Sequence, residues 1–188
     1  MVSELQQSDD QQRFINESLP FISPADLHYV LRFSCGLYPP CSHLILRYLL
    51  NKCHPGEGSL PDYIMNCIFL CFVEYYGDVG TEILDVVSAV CKRHITIRSD
   101  DSRLLQHAKV SMFKIASDCG ITVERIFLED LVVSAAKDTL RFNSDVTMGA
   151  IDTVRVIEIS RWDQTLKDED YHNLLKFIAN STHLEKAW

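Results

Sequence analysis

Four times along this chain a helix-capping serine stands at the head of an apolar pattern with helical period: Ser23, Ser59, Ser99 and Ser144. The spacings are 36, 40 and 45 residues. Two of the caps carry fuller chemistry, S23-P-A-D26 and S59-L-P-D62. In each, a serine oxygen can accept an orphan backbone N–H and a proline occupies the first turn. An acid three residues on meets the positive end of the helix dipole. Each opening leads into about two helices of apolar periodicity. The chain is therefore expected to be all-α, with about eight helices folded as four stacked helical hairpins. A stack of hairpins presents surface rather than a catalytic pocket.

The intervening residues support that reading in most places. Gly36 stops the first helix, and Pro39-Pro40 launch a second with Leu44, Ile45, Tyr48 and Leu49 on one face. Asp62 to Tyr76 is apolar nearly all round, so that helix must be surrounded by others. Thr81 to His94 follows, with basic residues at its C-terminal end, where the dipole favours them. Residues 100–118 place Leu104, Ala108, Met112 and Ile115 on one stripe and Arg103, His107 and Lys114 on the opposite one. Thr122 is expected to open a helix carrying Ile126, Phe127, Leu131, Val132 and Ala135. T165-L-K-D168 is a further capping box, ahead of a stripe of Tyr171, Leu174, Leu175 and Ile178. Three short segments dissent. Residues 94–98, 139–142 and 153–159 are dense in β-branched side chains, which frames an alternative α+β fold with strands there.

Over residues 23–180 the pattern is similar to the HEAT and armadillo class of helical repeats, whose units run to about 40–47 residues. The likeness rests on spacing and caps, not on a repeated signature, and a compact helical bundle would give the same pattern. The expected organisation is a disordered polar tail at 1–12, a single helical domain at 13–180 and a C-terminal tail at 181–188. The final HLEKAW either packs back on that domain or continues into further sequence.

A chain of 188 residues buries roughly 70% of its extended surface, enough for a core without metal or disulfides. The seven cysteines are odd in number, and the first twelve residues are too polar for a secretory signal. Reduced thiols and an intracellular location, cytoplasm or nucleus, are expected. The longest apolar run, Tyr63 to Val73, is about half the ~20 residues a membrane helix requires, so no membrane partner is expected. Cys35-x5-Cys41 and Cys67-x3-Cys71 do not have zinc-knuckle spacing; Cys67 and Cys71 lie one turn apart in the most apolar helix and read as core. The chain contains no G-x-S-x-G, H-E-x-x-H, G-x-G-x-x-G or P-loop, so no enzyme and no cofactor are expected.

Charge is the remaining signal. Net charge is −8, but residues 1–90 hold 4 basic and 11 acidic groups, whereas 91–188 hold 14 and 15. Between 92 and 114 six basic groups (Lys92, Arg93, Arg98, Arg103, Lys109, Lys114) face only Asp100 and Asp101. The candidate partner-binding residues are Arg98, Arg103, His107 and Lys114, a basic strip suited to an acidic surface on another protein. The expected role is that of an adaptor or assembly subunit that binds another protein. The alternative is a nucleic-acid-binding helical protein using the strip around 92–114, although the strip lacks the interleaved aromatics on which single strands stack. The sequence leaves the oligomeric state open.

Overall fold

A computed structural model describes residues 13, 24–52, 62–75, 79–129, 132–136, 139–160, 168–181 and 186–187. The chain divides into two compact units, residues 1–86 and 87–188.

The first unit is helical. It holds α1 (Pro24–Leu37), α2 (Ser42–Asn51), α3 (Asp62–Val73) and the first turns of α4 (Thr81–Cys91). A 3-10 turn, Pro39–Cys41, joins α1 to α2, because consecutive prolines supply a helical φ but no N–H with which to continue α1. On α3, Ile64, Met65, Cys67, Ile68, Phe69, Cys71 and Phe72 are all buried. That spread exceeds one stripe, and α3 accordingly packs against both α1 and α2. Leu31 and Cys35 of α1, and Ile45, Leu46 and Leu49 of α2, complete this core. Arg32 of α1 reaches past the end of α3, its Nε donating to Glu74 Oε1 at 2.6 Å.

The second unit overturns the all-α expectation. It is an α+β structure with a four-stranded sheet and a three-stranded sheet, not an array of helical hairpins, and the HEAT/armadillo-like repeat is not present. The large sheet contains β1 (His94–Arg98), β2 (Val123–Glu129), β6 (Val154–Ser160) and β7 (Lys186–Ala187), in the order β1-β2-β6-β7. All three pairings are parallel. Helix α5 (Arg103–Asp118) makes the crossover from β1 to β2, and α6 (Asp168–Asn180) lies between β6 and β7 in the chain. An antiparallel meander is inserted between β2 and β6: β3 (Val132–Ala136), β4 (Thr139–Phe142) and β5 (Thr147–Gly149).

The reason is local composition combined with non-local pairing. The segments at 94–98, 139–142 and 153–159 are where strands fall, as their β-branched side chains suit a pleated surface. The helix expected to open at Thr122 is instead β2, with Val123, Ile126 and Leu128 buried and Arg125 exposed. A helical stripe could be drawn through those apolar residues, but the flanking parallel strands at β1 and β6 decide for the sheet. In α6 the buried large side chain is Phe177, whereas Tyr171 and Leu175 of the expected stripe are exposed, because α6 packs on the meander at β3 and β4.

The caps divide similarly. Ser23, Ser59 and Thr165 lie outside the described residues, as do the tail at 1–12 and most of 181–188. Ser99 sits in the turn after β1 and heads no helix; the N-cap of α5 is Ser102, whose Oγ accepts the Leu105 N–H at 3.2 Å. Ser144 lies in the β4–β5 turn. Ser102→Ala should therefore cost about 1 kcal/mol, whereas Ser99→Ala should cost a few tenths. Denaturant midpoints of the two variants check this, and equal losses would count against Ser102 as the cap.

Candidate functional site

Helix α5 buries one face and offers the other. Leu105, Ala108, Lys109, Met112, Phe113 and Ala116 point inward at helical spacing. The opposite face carries Arg103, Leu104, His107, Val110, Ser111 and Lys114, which form one wall of an open groove of about 740 Å³. Asp145, Val146 and Thr147 of the β4–β5 turn form the other wall. Arg103 and Lys114 stand three helical turns apart, about 16 Å along the axis. His107 lies between them, its Nε2 3.5 Å from Ser111 Oγ.

The turn opposite is shaped by Asp145, which has φ 65°, a left-handed conformation that Asp tolerates better than most residues. The Asp145 N–H donates to the Phe142 carbonyl at 3.0 Å and the Phe142 N–H to the Val146 carbonyl at 2.8 Å. Arg141 Nη2 donates to Asp145 Oδ1 at 2.5 Å. That hydrogen bond, then the charge of Arg141, then the more distant charge of Arg103, hold the Asp145 carboxyl below its ordinary value. A depressed carboxylate contributes stability above its unfolded pKa and loses it as pH falls through the lower folded value. Asp145 is fully exposed, so solvent screening makes that contribution slight. In an NMR titration the Asp145 midpoint is expected below the ordinary carboxylate value. Arg141→Ala should raise it most of the way back; an unmoved midpoint would show that the pair does not form in solution.

The walls are joined beneath the groove by a buried polar network. Ser144 Oγ of the turn donates to Gln106 Oε1 of α5. Gln106 is fully buried, and its Nε2 donates to the carbonyls of Arg98 (2.8 Å) and Asp101 (3.2 Å). Lys109 Nζ donates to the Thr96 carbonyl and to Asp101 Oδ2, each at 2.7 Å. Asp101 Oδ2 also accepts the Arg98 N–H at 2.9 Å. The side chains of Lys109 and Asp101 are 3% and 6% exposed.

The six basic groups of the 92–114 run are thus distributed among separate environments. Arg103 and Lys114 share the groove with His107. Arg98 does not join them: it lies at the carboxyl end of β1, with Nε 3.2 Å from Glu129 Oε2 on β2. Lys109 is buried in the network, and Lys92 and Arg93 lie before β1. Asp101, Gln106 and Ser144 were not legible as a set, since residues 38 apart meet only in the fold. Lys109 did leave a signal, because its spacing from Leu105, Ala108 and Met112 puts it on the inward face.

A second surface lies in the helical unit. Tyr29, Val30, Phe33 and Leu37 of α1 are 62%, 56%, 64% and 83% exposed, and the adjoining Tyr38 is 42% exposed. Tyr29, Phe33 and Leu37 are spaced i, i+4, i+8 and so form one ridge. Leu31 and Cys35 of the same helix face the core.

Most of the described cysteines sit in the interior. Cys35, Cys67, Cys71 and Cys91 are buried, Cys41 is half-buried, Cys119 is exposed and Cys53 lies outside the described residues. A hydrogen bond between Cys35 and Cys71 lowers the first thiol's pKa and raises the second's. Burial pushes Cys67 up, and Cys91 up to about 12. Among the described residues no group of three or more His, Cys, Asp or Glu side chains is placed to hold a metal ion. No helix among them is long and apolar enough to cross a membrane.

Comparison with known proteins finds no family model, no curated protein and no solved structure that matches this chain.

Proposed function

We propose that this protein is an intracellular protein–protein interaction module, an adaptor or assembly subunit that works by binding rather than by turnover. The observation that carries the proposal is the apolar ridge of α1. An exposed leucine or tyrosine alone is ordinary, but four large apolar side chains on one face, with Tyr38 adjoining, form the kind of patch that marks a contact surface. The partner it suits presents an apolar groove that receives Phe33 and Leu37, with Tyr29 at the edge. The α5 groove, taken by itself, suits an acidic segment of another protein, through Arg103, His107 and Lys114. An intracellular setting accords with the buried free thiols, since secreted domains of this size more often oxidise theirs.

The test pairs Phe33→Asp/Leu37→Asp with the parent chain. The partner is recovered from lysate, purified, and the complex rebuilt from the two components. Loss of two central apolar anchors should weaken the complex by about 30-fold or more. The melting temperature should hold, because both side chains are solvent-facing. Unchanged affinity in the double variant would sink the α1 assignment. For a complex held at the α5 groove, Arg103→Glu/Lys114→Glu should give a smaller, salt-dependent loss.

A further inference from the structure

We propose that the hollow at the amino ends of β1, β2 and β6 binds a phosphate-bearing ligand. The hollow is about 400 Å³ and is lined by Lys92, Arg93, His94, Glu124, Arg125, Arg155 and Val156. Four of these groups are permanently cationic and one is anionic, in a protein whose net charge is −8. The parallel register places His94 beside Arg125 and Arg125 beside Val156, so three neighbouring strands begin together at this rim.

The helix dipole accounts for part of the cluster. Lys92 and Arg93 follow the last turn of α4, where cations are favoured. It does not account for Arg125 and Arg155, which come from two different strands and line the same hollow. Arg155 is hydrogen-bonded to a carboxylate neighbour, whereas Arg125 is held only loosely by its own. Arg155 Nη1 lies 2.8 Å from Glu124 Oε2 and Arg125 Nη1 3.6 Å from Glu158 Oε1, and all four side chains remain partly exposed. Ion pairs that wet contribute little. A phosphate concentrates more charge on more acceptor oxygens than a carboxylate and matches the guanidinium fork, so it competes well for these arginines. Convergence on one hollow also separates this cluster from the α5 groove, where the cations are strung along an extended wall. The volume falls within the range of sites for small ligands of nucleotide size.

The test is calorimetric titration of the whole chain at low salt with inorganic triphosphate, adenosine triphosphate, a short single-stranded oligonucleotide and a polyglutamate peptide. Variants Lys92→Gln and Arg125→Gln should each weaken triphosphate binding by about tenfold. Arg103→Glu/Lys114→Glu, in the other groove, should leave it unchanged. Circular dichroism confirms that each variant is folded, and two single variants keep the result readable if one is not. Binding of the two small phosphates assigns the site to a free phosphate compound. Binding of the oligonucleotide alone, still lost in Arg125→Gln, assigns the same chemistry to a nucleic-acid backbone. Equal affinity for polyglutamate, no binding of any phosphate probe, or binding that ignores Lys92 and Arg125 would overturn the proposal.

Discussion

Lys109→Ala is expected to destabilise the protein by about 3–5 kcal/mol, the largest loss from any single charged side chain among the described residues. The reason is what it leaves behind. Asp101 is buried, and without Lys109 its carboxylate keeps the Arg98 N–H as a donor and loses its cationic partner. The Thr96 carbonyl loses a donor as well. The loss reflects an uncompensated buried charge more than the strength of the pair, because placing both ions in the interior was itself costly. The double variant Lys109→Met/Asp101→Asn should therefore be less damaged than Lys109→Ala. Full recovery is not expected, since Met still leaves the Thr96 carbonyl without its donor. Urea unfolding of the parent and both variants compares the two losses. A loss below ~1 kcal/mol in Lys109→Ala would mean that Asp101 escapes to water, and that the network does not lock the β1–α5 loop.

Phe113→Ala should cost a comparable ~3–5 kcal/mol by a different route, the cavity left when a fully buried ring is removed. Phe113 is on the buried side of α5, three residues beyond Val110 on the groove wall. The structure separates them: Phe113 is core, and Val110 lines the groove. Val110→Ala is expected to stay within about 1 kcal/mol of the parent. Equal losses for the two variants would contradict this placement of α5.

The contrast between α5 and β2 shows which features were legible in advance. The amphipathic pattern of 100–118 led directly to a helix, observed as Arg103–Asp118. A helix is held by bonds between residues four apart, so its evidence lies within its own sequence. The apolar residues of 122–135 suggested a helix and became β2 and β3. A strand's partners are elsewhere: β2 pairs with β1 and with β6, whose residues lie 31 positions further along the chain than their partners in β2. Only the short β-branched runs hinted at the sheet, and a capping serine was a poor guide where it stood in a turn. Ser99 and Ser144 have the side chain of a cap, and turns use the same hydroxyl chemistry.

The candidate sites divide in the same way. Arg103, His107 and Lys114 come together because they share one helical face, a property of spacing alone. Arg98 separates from them because β1 directs it across to Glu129. Lys92 and Arg93 join Arg125 and Arg155 because parallel strands begin at a common rim.

By itself, then, the sequence determined the basic face of α5, the apolar content of α3 and the cluster of cations between residues 92 and 114, since composition and short-range periodicity set all three. The tertiary structure alone decided that a parallel sheet replaces the stacked hairpins. It also decided which cations are buried, paired or presented in a hollow. Strand pairing and the environment of a charge depend on contacts between residues far apart in the chain, and those contacts exist only once the chain has folded.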